Sequence, residues 1–119
     1  MKKILLFLLL ISFNTNAQTC QDIMEFVKSK SFGTTYTSYN SDAISKVTFY
    51  EVYIDYQTHY FAIVCFKQEY SYSCTEYIYK VAYDTRLKYS LKYMSSAGEA
   101  FWEYINPYSK QLDCAPDFE

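Results

Sequence analysis

At 119 residues the chain has the length of one small domain. Fifteen tyrosines and nine phenylalanines against two glycines argue against disorder and for strands, because aromatic rings fit a pleated, half-buried surface. Eleven basic against thirteen acidic residues leave too little positive charge for a general polyanion binder, whose affinity rests on Lys and Arg neutralising phosphates.

The chain opens on a basic Met1-Lys2-Lys3, an unbroken apolar run from Ile4 to Ile11, and then the small polar Asn14-Thr15-Asn16-Ala17. That order is the pattern of a cleavable secretory signal, and it predicts a signal peptide at residues 1–17 and a single domain at 18–119. A membrane-spanning helix needs about 20 apolar residues, more than this run supplies. A buried N-terminal helix is the competing reading. Cys20 raises a lipid-anchored one, for which Thr19 directly before it is ill suited. The expected product is a soluble protein, secreted or periplasmic. Both signal lysines leave with the signal, so nine basic residues then face thirteen acidic ones, a net charge of −4.

Thr19 can cap a helix from Cys20 to Lys30, with Ile23, Met24, Phe26 and Val27 at near-helical spacing and Asp22 and Glu25 in the early turns. Gly33 closes it, and residues 34–42 read as a polar loop or edge segment. A strand is predicted from Ile44 to Tyr56, with Val52, Ile54 and Tyr56 on one face and Glu51, Tyr53 and Asp55 on the other. Gln57-Thr58-His59 is the expected turn, and Tyr60 to Lys67 and Thr75 to Val81 form the next two strands. Asp84 then caps a helix whose Leu87, Leu91 and Met94 fall at i, i+4 and i+7. Ser96 and Glu99 have capping-box spacing and open a last short helix carrying Ala100, Phe101, Trp102 and Ile105, which Pro107 should stop. The expected fold class is therefore α+β: an N-terminal helix, a three-stranded antiparallel meander, and two C-terminal helices packed on one face.

All four cysteines lie beyond the signal, and an even number in an exported domain predicts disulfides. A hairpin turning around Glu69-Tyr70 would set Cys65 directly opposite Cys74, within the span of a disulfide. Cys20 would then meet Cys114 and tie the first helix to the tail, the favoured one of the three pairings that four cysteines allow. A four-thiolate zinc site is the alternative. It lacks a short Cys-x-x-Cys pair, and no metal or other cofactor is expected.

Ser41 and Ile44 at the entry to the first strand, Phe66 in the second, Tyr77-Ile78-Tyr79 with Val81, and Ser96-Ala97-Gly98 with Phe101 and Ile105 occur in an order that resembles the KTSC domain. This short module is also found at the C-terminus of some lysyl-tRNA synthetases and as a stand-alone bacterial protein. The resemblance covers Ser41 to Pro107. The chain differs from the usual form in the cysteine-bearing loop between the second and third strands and in its N-terminal helix. No function is established for the family; an RNA-binding role has been suggested for it.

Several residues carry possible chemistry. Tyr77 and Tyr79, two apart on a strand, share a face and could stack on a sugar, a base or a peptide side chain; alternatively they form core beneath the C-terminal helices. Lys80, Arg86, Lys88 and Lys92 make a basic cluster able to meet an anion or acidic partner, or simply a solvated helix face. His59, the only histidine, reads as a turn residue with no nucleophile beside it. Capping accounts for Ser96, and Asp22, Glu25, Glu51 and Asp55 read as surface charges. The expected function is non-enzymatic: a binding or interaction module for a macromolecule or for cell-surface material. The alternatives are RNA or single-stranded nucleic-acid binding, and an enzyme whose site forms across the sheet.

Overall fold

The computed structural model describes residues 15–69 and 72–118; the apolar run of the expected signal lies outside them. Helix α1 spans Thr15–Lys30. Four strands follow, β1 Thr34–Thr37, β2 Ile44–Ile54, β3 Gln57–Lys67 and β4 Cys74–Val81, and then helix α2 Thr85–Lys92. The chain continues through α3 Ala97–Ala100, a π-helical turn Phe101–Ile105, a 3-10 turn Asn106–Tyr108 and α4 Ser109–Leu112. The strands form one antiparallel sheet in the order β1-β2-β3-β4.

The class is α+β, as expected, but the sheet has four strands rather than three. The extra one is β1, inside the segment read as a polar loop or edge. It pairs Thr34 with Phe49 and Thr37 with Lys46. Its composition hides it, because among its four residues only Tyr36 is partly buried, and pairing with β2 rather than a hydrophobic pattern holds it extended.

Strand alternation divides the core in two. Val47, Phe49, Ala62, Val64, Tyr79 and Val81 face the C-terminal helices and pack on Tyr89, Ala97, Ala100, Phe101 and Ile105. Val52, Phe61, Ile63 and Ile78 face the other way and are covered by Met24 and Val27 of α1 and by Cys114. The sheet is thus a middle layer between helices.

Where α1 hands over to β1, Gly33 lets the backbone pass against the strand beneath it. A Cβ there would collide with Thr48 Cγ2 and lie 2.8 Å from the Tyr50 ring. Thr48 is also fixed by its 2.9 Å hydroxyl contact with Thr35. Gly33→Ala is expected to cost about 1–3 kcal/mol through this overpacking, read as a lower urea midpoint at unchanged m-value.

Several local expectations need correction. The β2–β3 turn is Asp55-Tyr56 rather than Gln57-Thr58-His59. Both residues have positive φ, 51° and 66°, the arrangement that matches a two-residue hairpin to strand twist; His59 therefore lies within β3. In the next hairpin Cys65 stands opposite Glu76 and Cys74 opposite Lys67, so the two cysteines are diagonal rather than directly facing. The disulfide forms all the same, at a Cα separation of 5.3 Å. The second disulfide joins Cys20 to Cys114 at 5.7 Å. Two such bonds belong to an oxidising, non-cytoplasmic environment.

Helix α2 turns its expected face outward. Leu87, Leu91 and Met94 are exposed, while Thr85 and Tyr89 are buried. The helix carries two competing stripes, and the aromatic one prevails because each ring buries more area than an aliphatic side chain. Tyr89 stacks on Tyr93 with ring centroids 5.6 Å apart and meets Phe49 at 5.5 Å. Asp84 precedes the helix without a side-chain capping bond and pairs instead with Lys88 at 3.1 Å. Ser96 does cap α3, its hydroxyl accepting from the Glu99 N–H at 3.1 Å. Pro107 does not end the helical run. It sits in the 3-10 turn that follows the π-helical turn, and this change of pitch carries the chain past a residue that lacks an N–H.

Candidate functional site: a cleft beside the sheet end

The loop between β1 and β2 is shaped by its own serine. The Ser41 hydroxyl accepts from the N–H groups of Ala43 and Ile44, at 3.3 and 3.0 Å, a local side-chain turn. The loop is strapped to the end of β3 by Lys67, whose backbone N–H donates to the Ala43 carbonyl at 2.7 Å and whose ammonium donates to the Ser41 carbonyl. Across from it, the Ser95 and Ser96 N–H groups donate to the Lys92 carbonyl and close α2. Ser96 then starts α3. Two rigidly tied turns thus stand side by side.

Between them lies a cleft of about 460 Å³, within the range of small-ligand sites. Tyr39, Asn40 and Asp42 line one wall, Tyr93, Met94 and Gly98 the other, with Ser41 and Ser96 between them. Its chemistry is that of hydroxyl, amide and aromatic groups with Asp42 the one charged side chain. A Cβ at Gly98 would meet nothing within 4 Å, so packing inside the chain does not require glycine there. Under the cleft, Ser38 is buried. Its hydroxyl lies close enough to Tyr89 to favour the phenolate, yet neither oxygen completes a well-formed hydrogen bond among the described residues.

The residues singled out from the sequence do not assemble into one surface. Tyr79 is 1% exposed and sits in the core beneath Phe101, centroids 5.6 Å apart. Burial pushes its phenol well above the usual tyrosine range. Tyr77 is partly buried against Phe66 at 5.8 Å. Tyr79 is therefore core, and Tyr77 packs partly buried against the same cluster. Lys80 alternates to the opposite face of the sheet, beside α1. The remaining members of the basic cluster lie on α2 and have partners: Arg86 donates to the Tyr36 hydroxyl at 3.3 Å, Lys88 pairs with Asp84, and Lys92 pairs with Glu103 and Glu99. The hydrogen bond that Lys92 donates to the Glu103 carboxylate raises the lysine's pKa and lowers that of Glu103.

Cys20, Cys65, Cys74 and Cys114 are all consumed by the disulfides, with no free cysteine among the described residues. Those residues also hold no group of three or more His, Cys, Asp or Glu able to bind a metal ion, and no helix long and apolar enough to cross a membrane. Sequence reasoning missed Tyr39, Asn40, Asp42 and Tyr93. The available signal was the pair of serine turns at Ser41 and Ser96, which nothing in the one-dimensional pattern places together.

Fold and cleft define a disulfide-bonded α+β domain with an aromatic-edged recess of mixed polar and apolar lining at one end of its sheet. No family model, no curated protein and no solved structure matches the chain.

Proposed function

We propose that the chain is an exported, KTSC-like domain that works by binding a macromolecule or cell-surface material in the cleft between the β1–β2 loop and the α2–α3 connection, without catalysing a reaction. One observation carries this reading. Ser41 and Ser96-Ala97-Gly98, far apart in sequence and both among the residues that carry the resemblance, line the same recess. The two disulfides support the export part, since they suit an oxidising compartment. A single carboxylate as the only charge in the recess favours hydroxyl-, amide- or amine-bearing groups over phosphates.

The test uses the open space at Gly98. Gly98→Phe is expected to keep the fold, because its side chain enters the recess rather than the core. The oxidised protein and this variant are used as paired baits on native envelope and medium. A reproducible partner held by the wild type and lost by Gly98→Phe is the expected result. Equal capture by both would move binding away from the cleft, and release of a product from the captured partner would favour an enzyme.

A further inference from the structure

On the face of the sheet opposite the cleft, α1 does not close fully onto the strands. A groove of about 400 Å³ remains between α1, the hairpin end of the sheet and the C-terminal segment. Its walls are Ile23, Phe26, Ile54, Phe61 and Leu112, and its polar groups are Lys80, His59, Thr19 and Asp22. Phe61 is buried, Ile23, Ile54 and Leu112 are partly buried, and Phe26 stands 43% exposed at the rim.

Lys80 sets the character of the site. It is partly buried beside Phe61, its partner across the sheet, and no carboxylate pairs with it among the described residues. A partly desolvated ammonium on an apolar wall gains most from an anion that brings its own apolar surface. Asp22, the groove's single carboxylate, is exposed and keeps its water. The Cys20–Cys114 disulfide ties α1 to the segment that carries Leu112, so the two apolar walls are held in place before any ligand arrives.

We infer that this groove binds a free single-chain carboxylate, an acyl anion, with its headgroup on Lys80 and its chain along Ile23, Phe26, Ile54 and Leu112. A shallow groove lined by α1 on one side and by the strands and Leu112 on the other seats one chain, whereas a bilayer surface would be met by a protruding apolar face. This site is separate from the cleft, and its test reads different residues.

The experiment titrates the oxidised, 15N-labelled protein with decanoate below its micelle concentration, and in parallel with decyltrimethylammonium. Decanoate is expected to shift the amides of Ile23, Phe26, Ile54 and Lys80, and the cationic analogue to bind at least about tenfold more weakly. Lys80→Met, which keeps the length and removes the charge, should weaken decanoate about tenfold, the equivalent of losing one charge-assisted contact of about 1.4 kcal/mol. Lys80→Arg should largely retain it. Unchanged peak dispersion in both variants shows that the fold is kept. The inference is overturned by shifts scattered away from the groove, by equal affinity for the two amphiphiles, by undiminished binding in Lys80→Met, or by binding to anionic vesicles without binding to monomeric decanoate.

Discussion

Replacing Cys20 and Cys114 together by alanine is expected to remove about 4–5 kcal/mol of stability, against about 2.5–3 kcal/mol for the Cys65 and Cys74 pair. The difference follows from loop length. The first bond closes a loop with a sequence separation of 94 and the second one of 9, and the unfolded-chain entropy removed by a crosslink grows with the logarithm of the loop. Domains of this size are stable by about 5–15 kcal/mol in all, so loss of the longer link brings the fold near its limit. The long link also pins the segment that covers the α1 side of the core through Cys114. Urea unfolding of the two double variants gives the comparison. Equal losses would mean that strain or unfolded-state structure, rather than chain entropy, dominates.

Alkaline unfolding should be the second large effect, and two buried tyrosines cause it. Tyr79 and Tyr89 are 1% and 0% exposed. Burial raises both phenols, Tyr89 to about 12 against the opposing influence of the Ser38 hydroxyl, and Tyr79 further still. In the unfolded chain a tyrosine ionises near 10. Between that value and the folded one, the unfolded state has released a proton that the folded state still holds, so stability falls as pH rises. Each residue's contribution is complete below pH 10 and is lost above it, at about 1.4 kcal/mol per pH unit.

Together the two tyrosines should cost roughly 5 kcal/mol by pH 12. Lys88 and Lys92, whose pKa values are raised by hydrogen bonds to Asp84 and Glu103, add in the same direction from the exposed surface. Urea midpoints measured from pH 9 to 12 should therefore decline steeply, and Tyr79→Phe or Tyr89→Phe should each remove about half of the slope. Neither phenol has a hydrogen-bond partner among the described residues. At neutral pH both substitutions should therefore be neutral or stabilising by about 1 kcal/mol, since an unsatisfied buried hydroxyl is removed. A flat alkaline profile would show that these hydroxyls ionise without unfolding the core.

Where the sequence could be read well, a local pattern coincided with burial. Strand β2 alternates visibly, with Val52 buried and Tyr53 exposed, and β3 reads as an unbroken apolar run whose residues 61–65 are all buried. Helix α1 shows its inward residues Met24 and Val27, and the Ser96 cap rests on neighbours three residues apart. It failed where two patterns competed or none existed. Helix α2 offered an aliphatic and an aromatic stripe of equal period, and only the ring partners Phe49 and Tyr36 on the sheet selected the aromatic one. The Asp55-Tyr56 turn lacks the glycine that usually marks positive φ, and β1 is nearly all threonine.

The candidate sites were less legible than the fold. Tyr77, Tyr79 and Lys80 are adjacent on one strand, yet alternation sends Lys80 to the groove beside α1 and Tyr79 into the opposite core. Ser41 and Gly98 meet only because the β1–β2 loop and the α2–α3 connection end at the same corner of the sheet.

Sequence alone determined the elements whose information is local: helix and strand periods, the Ser96 cap, and the aromatic excess that demands a sheet. The tertiary structure alone decided which of two apolar faces is buried, which strand neighbours share a surface, and which distant turns enclose a recess. Those outcomes depend on contacts between segments far apart in the chain, and their energies are settled only when the whole core packs at once.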